Sequence, residues 1–243
     1  MSINLIKNKK LNLNIPEFVC DDNLNKNLQK YEMLSHLNTY CYTIVCGRPG
    51  MGKTSLVISL FDKKSKIFYK MFHNVLLVMP SISRNSMKKN IFKKHDESKM
   101  FDELTFSTLS DIKNQLTEST EDNKSSILIL DDVGATLKNG EIAKLLREII
   151  YNRRHFKCQI IMMVQSIISV PLEIRKMSNN YVLFKPSKME FENIMNEVLH
   201  MNKDTALELL NYAYIDPHDY LFINEPTQKI YKDFDEIIIK SKT

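Results

Sequence analysis

The amino-acid sequence predicts an α/β domain, a mostly parallel sheet flanked by helices on both faces. Three observations carry that prediction. Short apolar runs alternate with helical patterns along most of the 243 residues. Glycine, only five residues in all, is confined to two loops that follow such runs. One of those runs also ends in a pair of carboxylates. A chain 43% hydrophobic and 26% charged is that of an ordinary globular domain with one sizeable core.

The apolar runs Tyr40–Cys46, Asn74–Met79, Ser126–Leu130, Cys158–Val164 and Asn180–Phe184 are rich in Ile, Val, Leu and Met. They lack polar alternation, as strands buried on both faces do. Helical patterns separate them at Lys53–Phe61, Ser83–Lys93, Leu109–Thr117 and Glu141–Arg154. In the last of these, Ile142, Leu145, Leu146, Ile149 and Ile150 form one apolar stripe. Strand–helix alternation argues for right-handed crossovers and hence parallel pairing. After Phe184 the pattern changes. Ser187 opens a capping-box sequence with Glu190, ahead of a helix carrying Phe191, Ile194, Met195, Val198 and Leu199. A further helix over Asp204–Ala213, a strand at Tyr220–Asn224 and a short tail follow. Residues 1–38, rich in Asn and Lys, read as an N-terminal arm or interface segment. Residues 39–243 read as one domain, with 186–243 as its helical and strand extension.

Composition narrows the function classes. No apolar run is long enough to span a membrane, and Met1–Lys7 lacks the apolar stretch and cleavage site of a secretory leader. A soluble intracellular protein is expected. Cys20, Cys41, Cys46 and Cys158 show no metal-ligand spacing, and three of them lie in or beside apolar runs, where a thiol acts as a small hydrophobe. Net charge is +5, with lysines grouped at Lys7–Lys10, Lys63–Lys66, Lys88–Lys94 and Lys138–Lys144. Such clusters are ordinary solvated surface or the footprint of a polyanion such as DNA.

The glycine-rich segment Gly47-Arg48-Pro49-Gly50-Met51-Gly52-Lys53-Thr54, with Ser55 next, matches the phosphate-loop pattern and sits after a strand and before a helix. Glycines there let backbone N–H groups converge on phosphates, and the helix N-terminus adds partial positive charge. Lys53 would reach the terminal phosphates of ATP, and Thr54 would ligate Mg²⁺. The run Ser126–Leu130 delivers Asp131 and Asp132 at its C-terminal end, where doubly wound sheets bind ligands. Asp131 suits the Mg²⁺ shell, and Asp132 suits the attacking water. Gln165 ends the run Cys158–Val164 and can orient water or sense the terminal phosphate. Of the six arginines, Arg154 shares a helical face with Arg147 and Tyr151, whereas Arg153 falls near the apolar stripe. Arg154 is therefore placed to reach a neighbouring subunit, unless both arginines simply complement the helix C-terminus.

Together these residues resemble the FtsK–HerA superfamily of DNA-pumping ATPases, and its viral genome-packaging branch in poxviruses, giant DNA viruses and virophages above all. The matching stretches are Gly47–Thr54, Ile127–Gly134, Asn152–His155, Ile160–Gln165, Val170–Arg175 and Tyr181–Pro186, spread over roughly residues 40–200. The phosphate loop alone specifies an NTPase; the stretch from Asn152 to Pro186 is what points to packaging. The resemblance implies a RecA-like P-loop NTPase (ASCE) core with an extra strand between the phosphate-loop and acidic strands, setting Gln165 between Lys53 and Asp131. It also implies a homo-oligomeric ring, pentamer or hexamer, around double-stranded DNA gripped without sequence preference. Capsid or portal and vertex proteins would be further partners. Work in the host cytoplasm at sites of virus assembly, or in the virion, is implied too. Arg154 matches the trans-acting finger, with Arg175 and Arg153 as other candidates. Cellular members carry Glu where this chain has Asp132, which sets the base one C–C bond further back. Lys88, Lys89, Lys93 and Lys94 are candidate DNA contacts.

Two other functions fit parts of the pattern. An AAA-type helicase loader or remodelling ATPase would carry an arginine in a helical lid, but Ser187–Ala213 contains none. A nucleotide-gated assembly factor with little turnover would suit the shorter Asp132.

Overall fold

The structure is a computed structural model that describes Leu24, Leu28 and residues 31–86, 91–92 and 95–239. Its centre is a nine-stranded sheet in the order β3-β2-β4-β5-β1-β6-β7-β8-β9. The strands are β1 (Tyr42–Cys46), β2 (Asn74–Val78), β3 (Met100–Phe101), β4 (Ser126–Leu130), β5 (Cys158–Val164), β6 (Asn180–Phe184), β7 (Tyr220–Asn224), β8 (Lys229–Lys232) and β9 (Asp235–Ile237). From β3 to β6 every pairing is parallel; from β6 to β9 every pairing is antiparallel. The sheet is thus mostly parallel on the side read from the five apolar runs, and each of those runs is a strand. As expected of the RecA-like arrangement, β5 lies between the phosphate-loop strand β1 and the acidic strand β4.

The apolar runs become strands because both sheet faces are covered. On one face Tyr42, Ile44, Leu128, Leu130, Ile160, Met162 and Val164 pack against α4 (Phe106–Glu121), α5 (Gly140–Tyr151), α7 (Lys188–Leu199) and α8 (Lys203–Ala213). On the other, Val45, Ile127, Ile129, Ile161 and Met163 pack with Val57 of α2 (Lys53–Leu60), with Met33 and Leu34 of α1 (Glu32–Ser35), and with Leu28 and Phe68. Every residue of β1, β4 and β5 is buried, which leaves their ends as the places where polar groups can emerge.

Caps set the helix limits. Thr105 accepts from the Thr108 amide at 3.0 Å and starts α4 three residues before the predicted Leu109. Asn139 accepts from Glu141 N at 3.0 Å and starts α5. The α5 stripe Ile142, Leu146, Ile149 and Ile150 is buried, at roughly 1.5–3 kcal/mol per side chain. The helix stops at Tyr151 rather than at Arg154, because the chain must turn through Asn152–Lys157 to enter β5, with Lys157 at φ 46°. A third helix, α3, spans Ser81–Asn85 after Pro80. The predicted helix Ser83–Lys93 continues through residues 87–90 and 93, which lie outside the described residues. The lysines Lys88, Lys89, Lys93 and Lys94, Lys7–Lys10 and Cys20 lie outside them as well. The last short helix, α6, covers Leu172–Arg175.

Ser187 caps α7 by accepting from Glu190 N at 3.3 Å. The Glu190 carboxylate does not complete the predicted box: it accepts instead from Ser166 Oγ at 2.7 Å and Ile167 N at 2.8 Å. Beyond Asn224 the tail expected from the sequence is two further antiparallel strands, β8 and β9. Cys41, Cys46 and Cys158 are buried in the core, where desolvation pushes Cys41 up to about 11 and Cys46 to about 12.

Candidate active site

The parallel half of the sheet brings the ends of β1, β4 and β5 side by side. Register pairs Cys46 with Val164 and Leu130 with Met162, so Gly47, Asp131 and Gln165 leave the same edge. The ladder continues past the strands. Gly47 N donates to Val164 O at 3.1 Å, Asp131 N to Val78 O at 2.8 Å, and Asp132 N to Met163 O at 3.1 Å. Three backbone segments are therefore pinned where the side chains must converge.

In the loop from Gly47 to Thr54, Gly50 and Gly52 take φ values of +79° and +100°, open to glycine at little cost. Gly47 is required for a different reason: a Cβ there would lie 2.7 Å from the Cβ of Phe184, at the end of neighbouring β6. Arg48, Pro49 and Gly50 are exposed at the crest of the loop. Lys53, the first residue of α2, is buried, and its ammonium donates to Gly47 O at 2.6 Å and Arg48 O at 3.3 Å. Thr54 follows it, and its hydroxyl is one of the groups that pull the Asp131 pKa down. Ser55 is exposed on the next turn.

Asp131 and Asp132 behave differently although adjacent. Asp131 is buried; desolvation first, then the charge of Asp132, push its pKa up to about 6 against the pull of Lys53 and Thr54. Asp132 is exposed and stands in the left-handed region at φ 55°, which Asp tolerates better than most residues. That twist turns its carboxylate toward β5. There Gln165 Nε2 donates to both oxygens, at 2.9 and 2.8 Å. Gln165 thus sits at the edge the resemblance implied, with its amide committed to Asp132. The residues fit a hard divalent cation with few protein oxygens: a Thr hydroxyl and a buried carboxylate, leaving the rest of the shell to phosphate and water. Among the described residues no group of three or more His, Cys, Asp or Glu gathers at a metal-binding distance.

The segment after Gln165 is braced. Glu190 holds Ser166 and Ile167, Ser169 Oγ donates to Ser166 O at 2.6 Å, and Arg175 Nη1 donates to Ile167 O at 3.3 Å. A Cβ on Gly134 would meet Ser169 Oγ at 2.4 Å, so this glycine lets the segments after β4 and β5 approach. Arg175 is fixed by Glu197, with Nη2 to Oε2 at 2.9 Å and Nε to Oε1 at 3.3 Å. Arg153 donates to Ile150 O at 3.0 Å and Asn179 Oδ1 at 2.9 Å, and burial lowers its pKa. Arg154 is exposed at the opposite end of β5 from Gln165. Seven strand residues separate the two, roughly 20 Å of chain.

Sequence reasoning missed three contributors. Glu190 reads from the sequence as half of a capping box, yet its carboxylate holds Ser166 and Ile167. Tyr214 donates to Leu183 O at 2.8 Å and ties the chain before β7 to the end of β6. His218 Nδ1 lies 3.1 Å from Met51 O, in the phosphate loop. The Asp-Pro-His-Asp run marks a turn, but no local pattern joins it to a loop 167 positions away.

A model of the poxvirus A32 protein family matches residues 28–216. No curated protein matches the chain. Among solved structures, the DNA-packaging ATPase B204 of Sulfolobus Turreted Icosahedral Virus is similar at a TM-score of 0.59 and 13% identity, over 82% of this chain and 98% of that one. The genome-packaging NTPase B204 of Sulfolobus turreted icosahedral virus 2, in complex with AMPPCP, is similar at 0.58 and 11%, over the same shares. The cytoplasmic domain of the Type VII secretion ATPase EccC of Thermomonospora curvata gives 0.51 and 12%, over 82% of this chain but 24% of that one. At these identities the likeness is one of fold, the P-loop ATPase fold.

Proposed function

The chain belongs to the poxvirus A32 protein family, the viral packaging-ATPase type its motifs resemble, and we propose that it is an ATP-driven motor that moves double-stranded DNA into a viral capsid. The observation that carries this reading is the convergence of Lys53, Thr54, Asp131, Asp132 and Gln165 on one edge of three adjacent strands. Loop amides from Gly47 to Thr54 and the Lys53 ammonium hold the triphosphate, and Ser55 extends the cradle into α2. Thr54 and Asp131 would hold Mg²⁺, which supplies positive charge against the phosphates. Asp132 orients the attacking water and accepts its proton on a lone pair that the Gln165 contacts leave open. Gln165 then returns that change to the braced segment Ser166–Val170.

Arg154 completes the site of the next subunit. It is exposed, and too far along β5 to serve its own. A ring of five or six subunits follows, with DNA backbone phosphates gripped without reading bases and capsid or vertex proteins docking outside. The work takes place in the host cytoplasm where virions assemble. The Asp132–Gln165 hydrogen bonds favour one other reading, a nucleotide-gated assembly factor that turns over little. Steady-state hydrolysis with and without long duplex DNA separates the two. The motor reading expects DNA to raise turnover several-fold, and Lys53→Ala to remove at least about 99% of it. A monomer whose hydrolysis ignores both DNA and Arg154→Ala would overturn it.

A further inference from the structure

We propose that His218 is the nucleoside-side contact of the phosphate loop, an acceptor for a hydrogen-bond donor on the ribose or the base. The inference rests on the nucleotide reading of Gly47–Thr54 and adds to it the part of the site that meets the nucleoside.

The sheet order supplies the direction. On one side of β1 lie β5 and β4, with Gln165, Asp132 and Asp131 at their ends. A terminal phosphate drawn to that side leaves the nucleoside on the other, where β6 and β7 follow. There Phe184 pairs with Tyr220 across β6 and β7, so the chain entering β7 arrives at the same edge as the phosphate loop. His218 lies in this entering segment, exposed, two residues before Tyr220.

The segment is rigid where it needs to be. Tyr214 anchors its start on Leu183 O. Asp219 Oδ2 accepts from Ile215 N at 2.8 Å and Asp216 N at 2.9 Å, and from Lys232 Nζ at 3.2 Å. These bonds hold the Asp219 carboxyl below its ordinary range. The His218 ring is then carried to the loop: a Cβ on Gly52 would lie 3.6 Å from its Nδ1, which is 3.1 Å from Met51 O.

That contact fixes the chemistry of the ring. A carbonyl oxygen only accepts, so Nδ1 must carry the proton. In the neutral imidazole Nε2 is then a bare acceptor at the far side of the ring. The matching groups on ATP are donors, the ribose hydroxyls and the 6-amino group of adenine; the phosphates offer acceptors only. A residue that merely clamped the loop would need Nδ1 alone.

The test measures equilibrium binding at pH 8 of ATP, 2′-deoxy-ATP, ITP and inorganic tripolyphosphate to the full chain and two variants. His218→Ala loses both nitrogens. His218→Asn places an amide N–H near the Nδ1 position, keeping a donor for Met51 O while removing the outward acceptor. The expected result is that both variants bind ATP about 3- to 10-fold more weakly and bind tripolyphosphate as the wild type does, the effect of one hydrogen bond at an exposed site. In wild type the same penalty should fall on 2′-deoxy-ATP if the donor is the 2′-hydroxyl, on ITP if it is the 6-amino group, and on neither if it is the 3′-hydroxyl. The assignment is overturned if His218→Asn binds ATP normally, or if His218→Ala weakens ATP and tripolyphosphate alike, because either makes His218 a loop clamp. Wild type that binds neither ATP nor tripolyphosphate overturns the nucleotide reading itself, and the His218 assignment with it.

Discussion

The two halves of the sheet solve different problems. In the parallel half, β1, β4 and β5 are buried along their whole length, and polar chemistry is forced to their C-terminal ends. In the antiparallel half burial thins outward: β7 is buried but for Tyr220, β8 only at Ile230 and Tyr231, and β9 not at all. The parallel half concentrates Lys53, Asp131, Asp132 and Gln165 at one edge; the antiparallel half contributes a buttress and the turn bearing His218. A core buried on both faces dictates where reactive groups emerge, whereas an extension whose burial fades toward its outer strand can be built from many sequences.

Whether the halves are one cooperative unit is the sharpest question to put to that contrast. Phe222, in β7, is 2% exposed and packs between His36 and Tyr231, with ring centroids at 6.2 and 6.0 Å. Phe222→Ala is expected to cost about 3–5 kcal/mol, read from denaturant unfolding by circular dichroism. With one continuous sheet, a single transition should shift as a whole. Two transitions, with the nucleotide-binding half melting at its wild-type midpoint, would break the comparison into two separable units.

A second test asks whether chemistry is confined to the parallel edge. Asp132→Asn keeps the shape of the side chain and removes its charge. Hydrolysis should fall by about 100-fold or more while nucleotide affinity changes little, since only the proton acceptor is lost. The Asp131 pKa should drop, because one of the two causes raising it to about 6 is gone. Turnover within a few-fold of wild type would move the base elsewhere, and Asp132 would become a partner that only orients Gln165.

The contrast also explains what the sequence could disclose. Ser126–Leu130 and Cys158–Val164 were legible to the residue, because five and seven consecutive buried positions leave an unbroken apolar run. The phosphate loop was legible because glycine is rare here and the geometry demands it. Lys229–Lys232 and Asp235–Ile237 were not, since strands half-exposed and charged at their ends read as tail. Glu190 was misread because a local rule, the capping box, matched a residue whose carboxylate is needed 24 positions away. The position of Arg154 was inferred from a helical face that ends at Tyr151; its exposure survives because the turn that follows also points it outward. His218 was invisible for a stronger reason. Its partner is a backbone carbonyl, and a main-chain acceptor leaves no trace in residue identity.

The smallest expected effect comes from the seam where the antiparallel half meets the segment before β1. His36 Nε2 lies 2.9 Å from the Tyr231 hydroxyl, and its ring stacks on Phe222 at 15°. Burial lowers its pKa below the ordinary 6.5, outweighing the opposing pull of Glu32. A base depressed on folding is protonated more readily in the unfolded chain, so its contribution to stability is present above about pH 6.5 and is lost as pH falls through the folded value. Asp131 has the opposite sign. Its raised pKa gives stability that is full below about pH 4 and lost as pH rises through about 6. The two halves thus pull stability in opposite directions across the same acid range. His36→Gln keeps a polar group near Nε2 for Tyr231 but cannot titrate. Unfolding free energies measured from pH 7.5 down to 5 should therefore show the variant gaining on wild type as the solution is acidified. A difference that stays flat would mean that His36 is not held neutral in the folded chain, and that this seam carries no charge penalty.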